Sequence, residues 1–111
     1  NRLGVNIRSM RLTDVQKEEL KEDLVSCLGL ETEIQKIVIF GSFLNSYNPN
    51  DIDVAVFQES TDEYLTLAMK YRKKTRTVSK IIPLDIFPVK LSVDNDPFLT
   101  EIAAGEVIYE R

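Results

Sequence analysis

With 111 residues, 43% of them hydrophobic and 29% charged, the chain has the size of one globular domain with a single core. Its formal charge of −4 argues against a nucleic-acid duplex as a partner, since duplex binding rests on clustered Lys and Arg. With no histidine and only Cys27, Ser-His-Asp and Cys-His catalysis, His-ligated zinc, thiolate clusters and an internal disulfide are all excluded.

Carboxylates, hydroxyls, Lys and Arg are left to do any chemistry, and any metal must be a hard, oxygen-seeking ion. No apolar stretch approaches the ~20 residues that span a bilayer, so no membrane association is expected. The first apolar positions are scattered among Asn and Arg rather than gathered into a leader, and a cytoplasmic location is the expectation.

Residues 1–11 have no clear period and read as a partly disordered N-terminal extension; residues 12–111 read as one domain. Thr13 and Gln16 form a capping box that opens a helix. Leu20, Leu24, Cys27 and Leu28 recur at helical spacing, with Cys27 as a small buried hydrophobe, and Gly29 is the stop. Lys36 to Phe40 and Ile52 to Phe57 are β-branched runs that predict two buried strands. Ser60 and Glu63 suggest a second capping box, with a helix to about Thr77. Ile81 to Val89, interrupted by Pro83 and Pro88, predicts an edge or bent strand. Asp96-Pro97 opens a short helix over 98–104, Gly105 ends it, and Val107 to Tyr109 is a last extended piece. The fold class is therefore α/β (α+β): helices packed on a small mixed sheet of three to four strands.

Three features in this frame carry chemistry. Residues two apart on a strand share a face, so Asp51 and Asp53 project side by side, their Cα atoms roughly 6.5–7 Å apart. Two such carboxylates repel unless a cation lies between them. The plain alternative is that Asn48-Pro49-Asn50-Asp51 is a turn that the acids cap. Gly41-Ser42 ends the preceding strand; glycine permits close approach of a ligand, and the Ser42 hydroxyl is a donor for a phosphate oxygen. Asp85 interrupts the apolar run Pro83-Leu84-Asp85-Ile86-Phe87, where a lone acid is costly unless paired or metal-bound. If its strand lies beside Ile52–Phe57, Asp85 joins the other two acids on one face.

A strand ending in Gly41-Ser42, then Asp51-x-Asp53, then a lone Asp85 resembles the DNA polymerase β-type nucleotidyltransferase superfamily. The short length and the ending FLTEIAAGEVIYE resemble its minimal nucleotidyltransferases, over about Leu20 to Glu110. The resemblance implies a nucleotidyltransferase-like fold and transfer of NMP from an NTP, ATP first among them, to a hydroxyl. It implies that Gly41 and Ser42 hold phosphates. It further implies that Asp51 and Asp53 bind two Mg²⁺ or Mn²⁺ ions, and that Asp85 completes the metal site and helps deprotonate the acceptor. It also implies a helical HEPN-type protein partner whose tyrosine is modified, as in an antitoxin of a toxin–antitoxin pair, or self-association. The chain departs from the family in a shorter loop between Ser42 and Asp51, where Phe43, Leu44, Asn45 and Ser46 replace the usual basic residue and glycine. That departure is what a non-catalytic module, neutralising a partner by binding alone, would carry. A nucleotide-sugar glycosyltransferase also uses Asp-x-Asp, but the chain is short for that fold.

Two further features have plain readings. The basic run Lys70, Arg72, Lys73, Lys74 and Arg76 complements a helix C-terminus, or contacts a triphosphate or an acidic partner. Tyr47 is a partly buried loop aromatic, or stacks on a base.

Overall fold

The computed structural model describes residues 11–91 and 99–111. The Asp96-Pro97 helix start, Phe98 and residues 1–10 lie outside them. In order come α1 (Asp14–Leu28), β1 (Ile34–Phe40), a 3₁₀ turn (Gly41–Leu44) and β2 (Ile52–Gln58). They are followed by α2 (Tyr64–Lys74), α3 (Arg76–Ser79), β3 (Leu84–Lys90), α4 (Leu99–Ala103) and β4 (Glu106–Glu110).

The four strands form a mixed sheet in the order β3-β2-β1-β4. β1 is antiparallel to both β2 and β4, whereas β2 and β3 are parallel. A parallel neighbour cannot be reached by a tight hairpin, and α2 and α3 supply the crossover. Alternation along the strands divides the core between the two faces. Ile37, Ile39, Ile52, Val54, Val56 and Ile86 face one way and pack with Leu20, Leu24 and Leu28 of α1 and Leu67 and Tyr71 of α2. Val38, Phe40, Ala55, Phe57 and Val89 face the other way and pack with Ile102 of α4. Each α1 leucine so buried contributes about 1.5–3 kcal/mol.

Local chemistry sets the boundaries. At the start of α1, the Thr13 hydroxyl accepts from Gln16 N–H and the Gln16 side chain accepts from Thr13 N–H, at 3.1 and 2.8 Å. Cys27 is half-buried against the core rather than inside it. The second expected capping box does not form: Ser60 Oγ accepts from Asp62 N–H in a local turn, and α2 starts later, at Tyr64. At its far end α2 stops at Lys74, where the buried Thr75 leaves the helical backbone with φ −103° and ψ 17° while its hydroxyl donates to Tyr71 O at 2.8 Å, and α3 is a separate turn.

Pairing of β3 begins at Pro83, whose carbonyl accepts from Ile52 N–H at 2.9 Å. That bond sets the alternation: odd-numbered residues of β3 turn their backbone groups toward β2, even-numbered ones outward. The missing N–H of Pro88 therefore falls on the outer side, where no ladder bond is lost. β3 is an edge strand, as its prolines indicated.

Candidate active site

The structure brings the three sequence-singled aspartates together. Asp53 is the second residue of β2 and Asp51 immediately precedes that strand. Asp85 is the direct cross-strand partner of Asp53 in the parallel ladder, and parallel partners share a face. One carboxylate oxygen from each lies within 4.8 Å of the others. Asp51 and Asp53 are half-buried and Asp85, on the edge strand, is exposed. Beside them Asn50, Asp51, Pro83 and Asp85 line a cleft of about 320 Å³. A larger hollow of about 490 Å³ between α1 and β4, lined by residues including Glu18, Lys21 and Glu106, contains none of the three.

Among the described residues nothing compensates the cluster electrostatically. No Lys or Arg among the described residues forms an ion pair with any of the three. Burial, then the charges of Asp51 and Asp85, push the Asp53 carboxyl up to about 6. Glu101, on α4, adds to that push. Burial and the charge of Asp85 raise Asp51 as well. Crowded carboxylates with no protein cation among them are the donor set of a hard divalent ion. The same geometry goes beyond a turn cap, which needs neither Asp85 nor a shared face.

Gly41 ends β1 at the same point. Its φ of +82° is a conformation that favours glycine, and a Cβ there would overlap the Asp53 carboxylate. Glycine here is required both by the turn and by the acid packed against it. Ser42 follows at the exposed start of the 3₁₀ turn, with its own carbonyl accepting from Asn45 and Ser46 N–H at 3.1 and 2.9 Å.

Sequence reasoning missed Lys17. This α1 lysine is only 9% exposed, and its Nζ donates to Phe43 O at 2.6 Å and to Ser46 O at 2.7 Å. The available signal was its position: Lys17 continues the Leu20, Leu24, Leu28 stripe one turn earlier, where an apolar residue is the norm. Nearby, Tyr47 is 56% exposed and lies under the Arg11 guanidinium, 4.9 Å from its ring centre.

The basic run divides. Lys70 reaches Glu31 at 2.8 Å and Glu33 at 2.9 Å, and Lys74 reaches Glu31 at 3.2 Å. The buried Tyr71 hydroxyl also donates to Glu33, at 3.0 Å. Glu31 and Glu33 precede β1, while Phe40 at its other end pairs with Asp53, so this network sits about 20 Å of strand away from the aspartates. Lys70 and Lys74 are thus internal ties and not triphosphate contacts.

The mixed sheet, with three carboxylates converging beside a Gly-Ser turn, agrees with the nucleotidyltransferase resemblance of the sequence. The sequence model of the family described as "Polymerase beta, Nucleotidyltransferase" matches residues 22–111, and the chain belongs to that family. A comparison with curated proteins gave no match. Among solved structures, the chain is similar to one in the complex of tri-AMPylated Shewanella oneidensis HEPN toxin with MNT antitoxin. The TM-score is 0.63 at 18% identity, over 86% of this chain and 73% of that one. It is also similar to a chain of the toxin–antitoxin MntA-HepT, with a TM-score of 0.57 at 16% identity, over 85% of this chain and 73% of the other. At these identities the likeness is one of fold.

Proposed function

We propose that the chain is a metal-dependent nucleotidyltransferase that moves NMP from an NTP, ATP first among them, to a hydroxyl and releases pyrophosphate. The observation that carries this reading is the convergence of Asp51, Asp53 and Asp85 within 4.8 Å on one face, beside Gly41. The three carboxylates would hold two Mg²⁺ or Mn²⁺ ions, which when bound polarise the phosphoryl group and neutralise the charge that develops on it.

The chain's own residues do the rest. Gly41 and Ser42 receive the phosphates, the glycine by close approach and the serine by its exposed hydroxyl. The acceptor oxygen forms a bond to the α-phosphorus as the bridging oxygen to the β-phosphorus departs with pyrophosphate. Asp85, exposed on the edge strand, takes the acceptor's proton. The acceptor is a tyrosine of a helical HEPN-type partner, a reading supported by the fold shared with a chain from the complex of a tri-AMPylated HEPN toxin with its MNT antitoxin. Residues 12–111 act as one domain, in the cytoplasm.

The test is label transfer from radiolabelled NTPs, with Mg²⁺ or Mn²⁺, to a candidate HEPN-type partner protein. Transfer that disappears with Asp51→Asn or Asp53→Asn supports the reading. Metal-dependent nucleotide binding with no transfer to that partner overturns it in favour of neutralisation by binding alone.

A further inference from the structure

The loop from Gly41 to Asn50 lacks a basic residue, yet a cation is built into it from another element. Lys17 spends two of its ammonium protons on the carbonyls of Phe43, inside the 3₁₀ turn, and Ser46, just beyond it. Its Nζ also lies 5.1 Å from the Phe43 ring centre and 5.9 Å from that of Tyr47. Among the described residues it forms no ion pair, so loop carbonyls and ring faces are what compensate a buried charge. Leu12 N–H adds a tie to Tyr47 O at 2.8 Å.

We propose that Lys17 is a positioning residue for nucleotide binding: its bonds to Phe43 and Ser46 fix the backbone of the loop that follows Ser42. The inference rests on the nucleotidyltransferase reading above. An apolar residue would continue the α1 stripe at lower desolvation cost, and replacing buried charge by apolar volume is often neutral or stabilising. The lysine's bonds instead run to Phe43, inside the turn that carries Ser42, and to Ser46, just beyond it. Because a trans peptide sets C=O and N–H in opposite directions, carbonyls held toward Lys17 turn the N–H groups of Leu44 and Tyr47 away from α1. One ammonium thereby orients two peptide planes of the loop.

The experiment compares the whole chain with Lys17→Met, Lys17→Gln and, as a control, Lys21→Met on the same helix, where Lys21 pairs with Glu18 and Glu106. Two affinities are measured: Mn²⁺ alone, by electron paramagnetic resonance, and Mn²⁺–ATP, by calorimetry. Lys17→Met should weaken Mn²⁺–ATP binding, and raise the KM for ATP, by at least about tenfold, the scale of losing an outer-shell partner. Its affinity for Mn²⁺ alone should stay within about twofold of the parent. Lys17→Gln should fall between the two, and Lys21→Met should match the parent.

Unchanged Mn²⁺–ATP binding in Lys17→Met overturns the inference. Equal loss of both affinities also overturns it, since that is the mark of a lysine that merely holds the fold. Should Lys17→Met be insoluble, the same two affinities measured on Lys17→Gln decide in the same way. Failure of the unmodified chain to bind Mn²⁺–ATP brings down the enzymatic reading itself, and this inference with it.

Discussion

At the residue scale, Asp53 and Gly41 are packed against one another and their substitutions have opposite consequences. Gly41→Ala forces a side chain into a φ of +82° and against the Asp53 carboxylate. It should cost about 1–3 kcal/mol, measured by urea unfolding, and weaken Mn²⁺ binding in the same variant. Asp53→Asn relieves repulsion from Asp51 and Asp85 instead. In metal-free buffer at pH 7.5 it should raise Tm by a few degrees while lowering nucleotide transfer at least about 100-fold. A Tm that falls would mean that the three acids are not repelling in the fold. Lys17 shows how a functional assignment escapes a residue-by-residue reading: its place on the apolar stripe of α1 marks it as unusual but names no partner, and its partners are 26 and 29 residues away.

At the element scale, α2 has a structural role distinct from either role its basic run offered, complementing the helix C-terminus or contacting a triphosphate. Its Lys70, Tyr71 and Lys74 tie the crossover to the segment before β1. Tyr71→Phe leaves Glu33 its Lys70 partner and removes only the hydroxyl bond. The expected loss is about 1 kcal/mol in chemical denaturation with transfer activity unchanged, because the network lies at the opposite end of the sheet. Thr13→Ala removes the side-chain half of a formed capping box and should cost about 1 kcal/mol by the same measurement. Ser60→Ala, at the box that does not form, should cost clearly less. The two S/T-x-x-E/Q patterns look alike in sequence. They part in three dimensions because Gln58, buried at the end of β2, accepts Ser60 N–H at 2.7 Å and holds that segment in a turn.

At the scale of the whole molecule, charge links stability to metal binding. The Asp53 carboxyl titrates at about 6 in the fold against an ordinary 3.8, so between those values the folded chain keeps a proton that the unfolded chain has released. The contribution of Asp53 to the stability of the metal-free protein therefore falls as pH rises from about 4 to 6, and levels off above. Divalent ions compete with that proton. Adding Mg²⁺ should raise Tm at pH 7.5 and do little at pH 4.5, with EDTA reversing the gain; an equal gain at both values would place the ion elsewhere. Two such ions would also cancel the formal charge of −4, which is how an acidic chain can accommodate a triphosphate.

The strands, α1 with its cap, the edge character of β3 and the three acids were legible in the chain before any folding was considered. Each follows from local periodicity, proline chemistry or the cost of a carboxylate in an apolar run. That β3 lies parallel beside β2, with Asp85 opposite Asp53, was settled by tertiary packing alone. Local patterns say which face a residue takes but not which strand is its neighbour. The same limit hid the division of the basic run and the reach of Lys17 beneath the loop. Both depend on pairing residues distant in sequence, and that pairing is set by how helices close over the sheet.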